Sequence, residues 1–205
     1  MNTMETDVKN SEVTIPLKIK SRLFPVMEIV FSETDFNKVR ITDIAKMAGM
    51  SLATVYRYFD SKEDMIVALT EEHLNEIEFR VHEYSRGIGN AKELFRRRLW
   101  VIFDYYDEHP RTAVICLIML PVYKWVEMNY YQLPEKGFAE LCEAIKSDET
   151  LDNSIDVHII KDMGYMILNR VVQLWYYKGK NSKMTAIFDE KFDYFWKVFL
   201  KSEKV

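Results

Sequence analysis

Twelve residues, Ser51 to Lys62, read SLATVYRYFDSK. Within them Thr54, Tyr56, Arg57 and Tyr58 offer three hydroxyls and a guanidinium and no carboxylate, the inventory a surface needs to meet phosphate oxygens and base edges. Lys62 adds a cation at the start of the next helix, beside free N–H groups and the positive end of a helix dipole. The whole chain carries 28 Lys and Arg against 32 Asp and Glu, a net charge of −4, an unfavourable balance for gripping DNA. Charge is not spread evenly, however. From Pro16 to Lys62 there are eight Lys and Arg and five Asp and Glu, a local net of +3. Tyr56 and Tyr58 could equally be tyrosines at the edge of a core.

Two short helices must position those groups. Ile44, Ala45 and Ala48 form one face of the first, over Asp43 to Ala48, and Val55 and Phe59 lie one turn apart on the second, over Leu52 to Phe59. Gly49 falls where the first helix must end, since a positive φ is cheap only without a Cβ. Ser51 can cap the second through its hydroxyl. This predicts a helix-turn-helix with a turn over Gly49 to Ser51. Ahead of it, Leu23, Met27, Val30 and Phe31 share one helical face, and Pro25 suggests that this helix starts late. Behind it, Ser61 with Asp64 predicts the start of a long helix running to about Tyr84.

The stretch ITDIAKMAGMSLATVYRYFDSKEDMI, Ile41 to Ile66, resembles the DNA-binding signature of TetR-family transcriptional regulators. The shared features are the Ile-Ala pair, Ala-Gly, the capping Ser, Thr-hydrophobic-Tyr, Tyr-Phe and Ser-Lys-Glu. The resemblance spans about residues 20 to 69 and implies that Thr54, Tyr56, Tyr58 and Lys62 match positions that touch DNA. Arg40, Thr42, Ser51, Leu52, Ala53 and Arg57 complete the candidate set. Four positions depart from the pattern. Leu52 replaces a common polar residue, Val39-Arg40 replaces a threonine pair, and Asp35 stands where glycine is frequent before Phe36.

Residues 70 to 205 show helical periodicity throughout, with no alternating strand and no repeat. Helices are expected over about Ala91 to Glu108, through the apolar run RTAVICLIMLPVYKWV, and near Phe138 to Lys146. Two more carry stripes, one of Ile160, Gly164, Ile167 and Val171 and one of Phe188, Phe192, Phe195 and Phe199. Paired with a second copy, these would build a four-helix bundle, with Gly164 at the crossing; they could also be two core helices of a monomer. The resemblance favours a homodimer. Phe79, Phe103, Tyr106, Met119, Tyr123, Trp125, Tyr165 and Asn169 supply apolar walls with a few polar groups, the mix expected of a small-molecule pocket. Packed core is the competing role for each.

No motif points to catalysis. The four histidines show no metal-ligand spacing, and EEHL reads as a solvated face. Asp104, Asp107 and Glu108 could pair as acid and base but suit a helix surface, and Arg96-Arg97-Arg98 reads as a solvated face with Glu93 opposite Arg97. Cys116 and Cys142 read as buried thiols. No cofactor is expected, nor any membrane span.

The expectation is an all-α chain in a cytoplasmic setting. A flexible arm, 1–16, precedes a three-helix DNA-binding domain, 17–65, and a larger helical effector-binding and dimerisation domain, 66–205. The resemblance implies a repressor released from palindromic double-stranded DNA by a small, mainly hydrophobic effector. The alternative is a helical small-molecule binding module that does not bind DNA.

Overall fold

The computed structural model describes residues 14–120, 135–152 and 154–200. The arm's first thirteen residues, Pro121, Tyr123, Trp125 and most of the loop before Phe138 lie outside them. The described residues are helical apart from turns and one isolated antiparallel bridge, Leu151 to Leu200.

α1 runs Leu17–Glu33 with Pro25 inside it, so it does not start late. Proline removes one backbone donor. Pro25 is exposed, while Leu23, Phe24, Met27 and Phe31 are buried around it. Full burial of such side chains is worth about 1.5–3 kcal/mol each, so several of them offset the roughly 3 kcal/mol cost of an interior proline. α2 is Ile41–Met47, α3 is Leu52–Tyr56 and α4 is Lys62–Ser85.

The corner between α2 and α3 follows from local chemistry. Gly49 takes φ +62° and donates to Lys46 O, and Met50 N donates to Ala45 O, so the orphan carbonyls of α2 are satisfied in a Schellman turn. Arg22 of α1 caps the same end, donating to Ala48 O at 3.1 Å and Gly49 O at 2.6 Å. Ser51 Oγ then accepts from Thr54 N. At the start of α4, Ser61 Oγ accepts from Asp64 N and donates to the Asp64 carboxylate. The carboxylate thus binds the capping hydroxyl itself.

The body comprises α5 (Ala91–Glu108), α6 (Pro110–Val114) with a π turn over Ile115–Met119, α7 (Glu135–Ser147), α8 (Val157–Tyr177) and α9 (Met184–Trp196). The described residues form two hydrophobic clusters. One joins α1, α2, α3 and the first turns of α4 through Leu23, Met27, Ile44, Val55, Phe59 and Met65. It also takes in Ile115 and Leu120 from beyond α6, so the body reaches into the head's core. The other gathers α4 to α9 around Phe103, Trp175, Phe188 and Phe192.

The α8 and α9 stripes do not face outward. Ile160, Gly164, Val171, Phe188, Phe192 and Phe199 are buried in the protomer's own core, with Ile167 and Phe195 half-buried beside them. Gly164 packs against Phe95 and Leu99 of α5. The physical reason is area: the broadest apolar stripe of each helix goes to the largest apolar contact, which is the protomer core. The outward faces carry Met166, 68 % exposed, and Tyr177 on α8, and Tyr194, 73 % exposed, on α9, with Val198 just beyond.

The carboxylates at the end of α5 are structural. Asp107 accepts from Met184 N, Thr185 N and the Thr185 hydroxyl, capping α9 from a neighbouring helix. Glu108 pairs with Arg80, which holds its carboxyl below the usual range.

Candidate nucleic-acid interface and its link to the body

Arg40, Thr42, Ser51, Leu52, Ala53, Tyr56 and Arg57 are exposed, and Thr54, Tyr58 and Lys62 are half-buried. Val55 and Phe59 turn inward and fix the roll of α3. Its outer surface therefore presents Leu52, Ala53, Tyr56 and Arg57 together, with no carboxylate among them. The Ser51 and Thr54 hydroxyls bond each other at 2.7 Å, so the capping bond also holds Thr54 in place.

Lys62 is not a free cation. Its Nζ donates to Phe36 O at 2.8 Å and Asn37 O at 3.3 Å and lies 4.7 Å from the Phe36 ring centre. It ties the start of α4 to the turn between α1 and α2, a positioning task the expected phosphate contact did not include. Asp35, placed where glycine is frequent, takes φ −49° and accepts from Asn37 N. No positive φ is required there, and the carboxylate starts the turn that Lys62 grips. Arg40 precedes α2 without a capping bond.

Of the expected pocket walls, Phe79 is 64 % exposed on α4. Phe103 and Tyr106 are fully packed core, the Phe103 ring 5.0 Å from that of Phe188. Met119 is half-buried where the two clusters meet. Tyr165 and Asn169 are half-buried on α8, with Asn169 Nδ2 donating to Tyr165 O. Tyr123 and Trp125 lie outside the described residues.

Sequence reasoning missed a polar joint between head and body. His73 of α4 is buried, not on a solvated face. Its Nδ1 lies 2.8 Å from Tyr105 Oη, and its Nε2 lies 3.2 Å from Glu28 Oε1 and 3.3 Å from Thr112 Oγ1. A carboxylate only accepts, so Nε2 carries the proton toward Glu28 and, in the neutral ring, Tyr105 donates to Nδ1. Burial, reinforced by the nearby Glu76 carboxylate, pushes the Tyr105 hydroxyl up to about 12. Arg80 covers the Tyr105 ring at 4.9 Å and binds Glu76 and Glu108. The joint thus links α1, α4, α5 and α6. Beside it a cleft of about 410 Å³ opens between α1 and the body, lined by Glu28, Glu33, His109, Arg111 and Trp175. The signal was available: His73 continues the buried Leu69, Ile77, Val81 spacing of α4.

Residues 28–69, which include the helix-turn-helix, match the family model described as bacterial regulatory proteins, tetR family. Over these residues the chain is similar to the TetR family. The Bacillus subtilis fatty acid metabolism regulator protein is 23 % identical over 163 residues, covering 77 % of this chain and 84 % of that protein. Among solved structures, the fatty acid degradation regulator FadR of Bacillus halodurans superposes with a TM-score of 0.76 at 18 % identity, covering 89 % of this chain and 96 % of its own. FadR of Bacillus subtilis in complex with stearoyl-CoA does so at 0.74 and 21 % identity, covering 85 % and 96 %. These likenesses agree with the TetR all-helical fold, and the named relatives are regulators. Among the described residues no helix is long and apolar enough to cross a membrane, and no cluster of three or more His, Cys, Asp or Glu could hold a metal ion.

Proposed function

We propose that this protein is a homodimeric TetR-family repressor that reads a palindromic operator through α3 and releases it when an amphiphile with a long apolar chain binds the body. The observation that carries this reading is the outer surface of α3, which is exposed and free of carboxylates and is held by two inward anchors and a capped corner. A module without DNA binding has no use for that arrangement. The proposed division is a head over 17–65 and a body over 66–205, with α4 belonging to the cores of both. Leu52, Ala53, Thr54, Tyr56, Arg57 and Tyr58 approach the major groove. Ser51 and Lys62 hold α3 and the flanking turn in position, and Arg40 and Thr42 lie toward the backbone.

Dimerisation runs through the outward faces of α8 and α9, around Met166, Tyr177, Tyr194 and Val198. Two heads would then sit in successive major grooves about 34–36 Å apart. The effector class is inferred from relatives named for fatty acid regulation and from the apolar body. Release requires the effector to prefer the non-binding state, and near-complete release needs about 5.5 kcal/mol of differential affinity. The Glu28–His73 joint is the proposed route by which a change among α4, α5 and α6 reaches α1.

A gel shift on the protein's own promoter fragment, with and without stearoyl-CoA, tests this reading. A retarded band that salt weakens and stearoyl-CoA abolishes supports it. Absence of any shift at low salt supports the binding-module alternative instead.

A further inference from the structure

The three arginines of α5 do three different things. Arg96 pairs with Asp189 of α9 at 2.5 Å, and Arg97 is exposed. Arg98 turns inward. It is half-buried between Leu94 and Ile102, which lie one turn to either side, and forms no hydrogen bond or ion pair with any described residue. The charges nearest to it are Glu78 of α4 and Glu140 of α7, both exposed, and neither comes within ion-pair distance; Tyr165 of α8 is the third neighbour.

An arginine treated this way is costly. Its guanidinium is partly withdrawn from water with no pairing carboxylate among the described residues, and a desolvated cation is tolerated poorly unless something pairs with it. Burial pulls its pKa below the ordinary arginine value, and the attraction of Glu78 and Glu140 only partly opposes this. The other body arginines with internal positions are all satisfied: Arg80 by two carboxylates and Arg96 by one. Arg98 stands where α4, α5, α7 and α8 converge on the apolar core of Leu94, Leu99, Leu141 and Leu168. A planar fork of donors beside apolar surface fits a molecule with an anionic head and a hydrocarbon tail.

We propose that Arg98 binds the anionic head, carboxylate or phosphate, of the amphiphilic effector, and so determines that the body takes charged rather than neutral lipids. This rests on the proposed effector class and narrows it. The neutralised guanidinium would then be satisfied only in the liganded state, which gives the effector a preference for that state.

The test uses the full chain, wild type and Arg98→Gln, with three probes of equal tail length below their micelle concentrations: stearate, stearoyl-CoA and 1-octadecanol. Binding is read by calorimetry and by release of labelled operator. Loss of a charge-assisted pair predicts that Arg98→Gln weakens stearate, stearoyl-CoA or both by about tenfold or more. Octadecanol binding should stay within about twofold. Whichever anion is affected identifies the head group as carboxylate or phosphate. The unliganded variant should melt at or above the wild-type temperature, because a half-buried cation with no partner among the described residues has been removed. Unchanged binding of both anions to Arg98→Gln, or an equal loss for octadecanol, overturns the assignment and leaves the lipid effector standing. No binding of any probe to wild type overturns both.

Discussion

Substituting Gly164 tests where α8 packs. An added Cβ would meet Phe95 Cζ at 2.8 Å. Phe95 cannot yield easily: it is 4 % exposed, stacked on Phe195 at 5.7 Å and packed on Trp196 at 6.0 Å. Gly164→Ala gains about 1 kcal/mol of helix propensity, against an overpacking cost of about 1–3 kcal/mol. A net loss near 1 kcal/mol follows. Gly164→Val gains only a few tenths from propensity and pushes two more carbons into the ring. If Phe95 is displaced, the loss approaches the lower part of the roughly 3–5 kcal/mol seen on deleting a buried phenylalanine, so about 3 kcal/mol is expected. Urea denaturation at several protein concentrations measures this, with Phe95→Leu as partner in a double-mutant cycle. Shortening the ring should relieve the clash, giving a favourable coupling of about 1 kcal/mol with Gly164→Ala. A loss below about 0.5 kcal/mol for Gly164→Val would refute the packing. So would a loss that disappears as protein concentration rises, since it would place Gly164 between subunits.

Arg40→Ala should weaken operator binding across sequences and lower the salt slope by about one, measured by anisotropy at several salt concentrations; an unchanged slope removes Arg40 from the phosphate set. Lys62→Met should cost about 1 kcal/mol of stability, through the lost bonds to Phe36 O and Asn37 O, and only secondarily affect DNA. Normal thermal stability with abolished binding would make Lys62 a direct contact instead. Glu28→Gln and Tyr105→Phe should each leave operator affinity close to wild type but reduce the effector's fold-effect by about fivefold, a coupling loss near 1 kcal/mol; undiminished release would take the joint out of the pathway. Burial pushes the Cys116 thiol up to about 12. Between the unfolded value near 8.5 and that figure the unfolded chain ionises first, so this group lowers stability as pH rises through the window. At pH 9 the native protein should therefore label one thiol readily, Cys142, and Cys116 only on unfolding; two fast thiols would contradict its burial.

The head was legible because its determinants are local. Gly49, Ser51 and Ser61 act on backbone groups within three or four residues, and the spacing of Val55 and Phe59 sets the roll of α3. Pro25 was misleading because its penalty is local while the burial that outweighs it is tertiary. Lys62 and Asp35 carry their types in the sequence, but their partners lie in the turn between α1 and α2, and no spacing rule connects position 62 to the carbonyl of 36. In the body, periodicity placed the helices and even the apolar stripes, yet could not say which apolar surface each stripe meets. Phe188 and Phe192 went to the core, leaving Met166 and Tyr194 outside. His73 shows the same limit from the other side: its spacing put it on a buried face, while its polarity argued for solvent, and Glu28, Tyr105 and Thr112 resolve the conflict.

The central claim is that two copies of α3 read one palindromic site. Selection of genomic fragments by the full-length protein, with sequencing and a footprint of the enriched site, measures this directly. One dominant, roughly palindromic sequence is expected, with half-sites about one helical turn apart, protected on one face of the duplex and lost on adding the effector. Fragments bound without sequence preference, or no enrichment at low salt, would contradict it.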